Sequence, residues 1–142
     1  MKTPNLNLFK LSLLVILLIF ISSCSSDDEN LTVNITVNEG PLGDIGGDFT
    51  GNGGDGSRTI AWENSLSTAD YNADITSSAT GTFNLRVTDA NGDVVLDRNL
   101  NGDSEPDSFS GVTEVGEPGN WSVIITLSSF SGDGSYSLSE GD

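Results

Sequence analysis

Histidine is absent from this chain. That removes the commonest general base and proton shuttle, the serine-histidine pairing of many hydrolases, and the usual ligand of zinc. Cysteine occurs once, at Cys24, so no disulfide can staple the fold and an apolar core must hold it, with bound metal the one remaining aid. Cations are scarce as well: Lys2, Lys10, Arg58, Arg86 and Arg98 oppose 21 acids. Every acid follows Cys24, which leaves three arginines against 21 carboxylates and a formal charge of −18 on that part. Such a surface repels nucleic acid and anionic head groups. Long apolar runs are missing too, since Leu11 to Ile21, interrupted by Ser12, falls short of the ~20 residues that span a bilayer as a helix. Paired carboxylates, as in glycoside hydrolysis, are the one catalytic apparatus left. In so acidic a chain any two can be paired on paper, and the expectation is a protein that is not an enzyme.

What is present begins with an address. Lys2 and Lys10 precede the apolar run, and small residues then lead to Cys24, which is the layout of a secretory signal. The tetrad Ile21-Ser22-Ser23-Cys24 resembles a bacterial lipobox. That resemblance implies that residues 1–23 are a removed signal peptide and that acyl chains on Cys24 attach the protein to a membrane. Each buried CH₂ contributes about 0.8 kcal/mol, so more than one chain gives a lasting anchor. Residues 24–30 then form an acidic tether. Within it, Ser25-Ser26-Asp27-Asp28-Glu29 resembles the export signal that Bacteroidota, flavobacteria especially, place beside the lipidated cysteine. This implies a lipid-anchored protein of the outer membrane facing the cell surface.

From residue 31 to 142 the pattern is that of one domain with a period of two. Leu31 to Val37 alternates apolar and polar side chains, as do Phe83 to Thr88 and Trp121 to Ser128, each predicting a strand with one buried face. Shorter runs at Arg58–Glu63, Tyr71–Ile75, Val94–Leu96 and Phe109–Val115 read the same way. Asp89-Ala90-Asn91-Gly92-Asp93 predicts a hairpin turn, and Ser131-Gly132-Asp133-Gly134 predicts a second one closing the chain through Tyr136 and Leu138. Between Glu39 and Ser57 glycine is so dense that a long mobile loop is expected. The sum is an all-β chain, a single antiparallel β-sandwich of about eight strands, jelly-roll-like. Pro118-Gly119-Asn120-Trp121 to Ile125 with Gly132-Asp133-Gly134-Ser135-Tyr136 resembles the end of bacterial pre-peptidase C-terminal sandwich domains, accessory modules of secreted enzymes.

Candidate chemistry centres on Asp97-Arg98-Asn99-Leu100-Asn101-Gly102, which opens like a calcium loop and continues with Asp103, Glu105 and Asp107. These oxygen donors, Asp97, Asn99, Asn101, Asp103, Glu105 and Asp107, are the candidate metal ligands, and Ca²⁺ is the one cofactor the composition suggests. Ser108 stands where the loop should supply a bidentate glutamate, so a polar turn explains the stretch equally well. Trp62 and Trp121 lie in phase with apolar neighbours, which predicts core positions over a sugar-stacking platform. The expected role is therefore a binding or adhesion module for an extracellular protein or a glycan, with the Glu39–Ser57 and Asp97–Asp107 segments as contact regions. The other reading is a calcium-stabilised accessory module of an envelope complex.

Overall fold

The computed structural model describes residues 30–40 and 43–141; the signal segment, Cys24 and residues 25–29 lie outside them. The order is β1 (Val33–Ile35), β2 (Asn38–Glu39), β3 (Ile45–Asn64), β4 (Ala69–Ile75), β5 (Thr80–Thr88), β6 (Val94–Asn101), β7 (Ser108–Val112) and β8 (Gly119–Glu140). All pairings are antiparallel. The alternation that predicted strands is also what buries them: Phe83, Leu85 and Val87 of β5, and Val123, Ile125 and Leu127 of β8, are wholly buried.

β3 and β8 organise the molecule. They pair from Ile45 with Leu138 to Asn64 with Gly119, but their outer neighbours change along the way. The first part of β8 pairs with β5, and the part from Gly134 onward pairs with β4. One ladder thus feeds two layers: β1 and β2, early β3, late β8, β4 and β7 in the first; late β3, early β8, β5 and β6 in the second. Register slips at Asn52/Gly54 and Gly54/Gly56 mark the bend between them. Bulges of this kind are how strands turn the corner of a sandwich. The layers meet where Phe49 of β3 stacks on Phe83 of β5, centroids 4.5 Å apart, with Phe130 edge-on to Phe49. Arg98 bridges them at the side, its guanidinium 5.0 Å from the Phe109 ring and donating to the Tyr71 hydroxyl at 3.2 Å.

Three expectations are corrected here, and two share a cause. The Glu39–Ser57 stretch is no loop; from Ile45 on it is strand. Ser131 to Gly134 is no turn either, because β8 runs through it for 22 residues. The two glycine-rich segments face each other, Gly51 opposite Gly132 and Phe49 opposite Gly134. A Cβ on Gly134 would come 2.5 Å from Phe49 Cζ. Glycine at this corner therefore clears space for a ring and a crossing backbone. The third correction is that Asp97 to Asn101, expected to open a calcium-type loop or a polar turn, continues β6.

The turn at Asp89–Asp93 forms as expected, with Gly92 at φ 89° and the Asp89 amide bonded to the Asp93 carbonyl at 2.9 Å. Two poles result. At the corner pole the chain enters from Asn30, held by Asn52. At the far pole the turns after β3, β5 and β7 are tied together: the Gly116 amide reaches Ser67 O at 2.8 Å and the Glu117 amide reaches Asp89 Oδ2 at 2.7 Å.

Candidate binding face

Because Phe83, Leu85 and Val87 point inward, their neighbours Thr82, Asn84, Arg86 and Thr88 stand on the outer face of the second layer. Pairing sets a polar partner beside three of them: Asn101 opposite Thr82, Asn99 opposite Asn84, Asp97 opposite Arg86. On the other side β8 places Thr126 beside Asn84, and β3 places Ser57 beside Thr126. A row of hydrogen-bonding side chains thus crosses four strands, Ser57, Thr126, Asn84 and Asn99. Strands sit about 4.8 Å apart and same-face residues nearly 7 Å apart, so the array is regular.

The row is tied together. Asn84 Nδ2 donates to Asp97 Oδ1 and to Asn99 Oδ1, each at 2.8 Å. Ser57 Oγ and Thr126 Oγ1 share a hydrogen bond at 3.2 Å, and Thr82 Oγ1 reaches Asn101 Oδ1 at 3.5 Å. Arg86 lies 3.8 Å from Asp97, both about half exposed, a pair that adds little stability but keeps a guanidinium beside a carboxylate on the surface. Amide, carboxylate, guanidinium and hydroxyl groups held this way offer both donors and acceptors. That is the chemistry a polyhydroxylated ligand needs.

The six sequence-predicted ligands are divided. Asp97 and Asn99 belong to this face, and Asn101 joins it to a hollow of about 300 Å³ that Asp103, Glu105 and Asp107 also line, with Thr76 and Ser77. The first three donors are strung along a strand and do not curl round a centre. Among the described residues no three Asp, Glu, Cys or His side chains form a group able to hold a metal ion. The other expected contact region contributes a second hollow of about 370 Å³, bounded by Glu39, Asp44, Asp48 and Tyr136.

Two carboxylates titrate below their ordinary values because backbone amides hold them. Asp89 accepts foremost from the Glu117 amide and also from those of Asp93 and Asn91, which outweighs the opposing effect of its burial. Glu140 accepts from Ser65. Burial raises the Tyr136 hydroxyl, which donates to Thr36 O at 2.8 Å. All three are structural ties. Trp62 and Trp121 are core, paired edge to face at 6.0 Å, with indole N–H groups bonded to Gly43 O and Glu117 O. Asn84 and Arg86 went unmarked in the sequence. Their outward phase on β5 was visible there, but which strands flank them was not.

No family model matches the chain, and no curated protein matches it. Among solved structures it is similar to TmCBM61 in complex with beta-1,4-galactotriose, with a TM-score of 0.39, 10% identity, and 80% of this chain and 90% of that one covered. It is also similar to the family 11 carbohydrate-binding module from Clostridium thermocellum in complex with a beta-1,3-1,4-mixed-linked tetrasaccharide, at 0.38, 13%, 80% and 85%. A CBM4 structure aligns at 0.33 and 14%, over 79% and 92%. The all-β sandwich assignment stands on this chain's own hydrogen-bond ladders.

Proposed function

We propose that this protein is a membrane-tethered, non-catalytic binding module that holds an extended glycan across the outer face of its second layer. The observation that carries this reading is the Asn84 fork, one amide group holding both Asp97 and Asn99 beside Arg86. A sugar polymer presents repeating hydroxyls, and fixed donors and acceptors on rigid strands meet them without paying again for side-chain ordering. The tether is supported by the signal layout and by Cys24 in its lipobox-like setting.

Affinity electrophoresis of the detergent-solubilised chain in gels carrying β-glucans, galactans or mannans tests the glycan reading. At least one polymer is expected to retard the protein. Asn84→Ala and Arg86→Ala should each weaken retardation by about 5- to 100-fold, the range for losing a hydrogen bond to a buried or charged partner. Unaltered mobility in every polymer, or release of shortened sugars by the wild-type chain, overturns it.

A further inference from the structure

In the second layer β8 lies between β3 and β5, and its apolar and polar side chains alternate regularly except at one place. Trp121, Val123, Ile125 and Leu127 point inward and are buried, while Asn120, Ser122, Thr126 and Ser128 point outward. Ile124 shares the outward phase of those polar residues. It is half-buried, yet it belongs neither to the core cluster nor to the partly buried apolar side chains packed against that cluster. Its cover comes from the outer face: the register sets Arg86 of β5 on one side of it and Thr59 of β3 on the other. Opposed residues on one face stand about 4.5–5.5 Å apart, within reach of the Arg86 stem and the Thr59 methyl. An apolar side chain thus sits in the middle of the polar array, with Ser122 and Thr126 next along β8 and Asn84 diagonal to it.

A pyranose ring is divided in the same way, with hydroxyls round its rim and C–H bonds on its faces. An aromatic ring is one surface that can meet such a face, but every Trp, Tyr and Phe among the described residues is buried. Val94, 46% exposed and opposite Thr88, is on this side too, but it lies at the margin on β6. The apolar floor at the centre is Ile124. Charge around it is paired locally: Arg86 has Asp97 at 3.8 Å, and Asp97 also accepts from Asn84. A carboxylate or sulfate on a ligand would have to displace Asp97 from Arg86 and then lie beside it, carboxylate against anion. A hydroxyl meets no such repulsion.

Resting on the glycan reading above, we infer that Ile124 is the specificity-determining floor of the outer face and that the ligand is a polysaccharide without acidic groups. One sugar ring lies C–H face down on Ile124, and its rim hydroxyls reach Arg86, Asn84 and Thr126. The isoleucine discriminates because it offers no hydrogen bond. An axial hydroxyl turned toward it would lose water and find no partner, so the ring must present a face free of such groups. The polar neighbours alone would accept hydroxyls in any orientation.

The test compares two side chains of one shape at position 124 of the detergent-solubilised full chain. Valine keeps the branched apolar surface, whereas threonine keeps the branching and the strand preference but puts a hydroxyl where a methyl was. In the gels that retard the wild type, Ile124→Val is expected to stay within about twofold of it, and Ile124→Thr to weaken retardation about fivefold or more through lost apolar contact. Val112→Ser, on the outer face of the first layer opposite Asp70, should be retarded like the wild type. Oxidising the primary alcohols of the retarding polymer to carboxylates should abolish its effect, and thermal melts should show both position-124 variants folded at the temperature of the gels. Failure of every polymer to retard the wild type overturns the glycan reading and this inference with it. Retardation that Ile124→Thr leaves unchanged, that Val112→Ser weakens equally, or that the oxidised polymer matches overturns this inference alone.

Discussion

Asp89 shows how much one buried side chain can organise. It is 6% exposed, and its two oxygens accept from three backbone amides, joining the β5–β6 turn to the segment that leads into β8. Those amides favour the anion, so its pKa falls below the ordinary 3.8. A depressed carboxylate contributes its stability in full above the unfolded value and loses it as pH falls through the lower folded one. Asp89→Ala is thus expected to lower the melting temperature on the order of 5 °C at pH 7. Its deficit should persist down to about pH 4 and shrink below that, as the wild type protonates. Calorimetry from pH 7 to 2.5 reads both; a deficit unchanged at the acid end contradicts the clamp. Trp121 makes the core counterpart, 1% exposed against Trp62, and Trp121→Ala should cost about 3–5 kcal/mol in a denaturant titration.

Among the elements, β3 and β8 carry the architecture, and their shared corner is where reading by composition failed. A glycine-dense stretch has no side chains to show periodicity, so it resembles a loop whether or not a partner strand covers it. The partner is 81 residues away in the chain, and Gly51 opposite Gly132 becomes visible only once it is paired. The two kinds of glycine can be told apart by substitution. Gly134→Ala drives a methyl into Phe49 and is expected to cost about 1–3 kcal/mol or more as overpacking. Gly92→Ala, at φ 89° with open space around it, should cost only the ~1 kcal/mol of a left-handed backbone. Equal costs at both would mean the corner relaxes freely. The β6 extension through Asn101 has its own consequence, because Asp97, Asn99 and Asn101 laid along a strand do not surround an ion, and among the described residues Asp103, Glu105 and Asp107 form no carboxylate group able to hold one. Millimolar calcium is therefore expected to move the melting temperature by less than about 1 °C, whereas a specific ion at a hundredfold excess would add roughly 2.7 kcal/mol, on the order of 10 °C.

At the scale of the molecule, charge divides the surface. Asp48, Asp70, Asp74 and Asp133 face outward from the first layer, while Arg58, Arg86 and Arg98 all belong to strands of the second. Under the proposed anchoring, Cys24→Ser should move the protein from the membrane pellet to the soluble fraction, and intact mass of the wild type should show acyl chains at position 24. Wild-type protein recovered soluble with a free thiol would contradict the tether. Alternation alone determined that this is an all-β chain, that Phe83, Leu85, Trp121 and Val123 lie inside, and that Asp89–Asp93 turns, since each follows from neighbours one or two residues apart. Composition alone removed histidine chemistry and disulfides. Only the tertiary structure decided that two glycine runs form a corner and that Asp97 and Asn99 meet Asn84 and Arg86 on a face. Those depend on which distant strands pair and in what register, and a register is set by the packing of the whole sandwich, which no local pattern encodes.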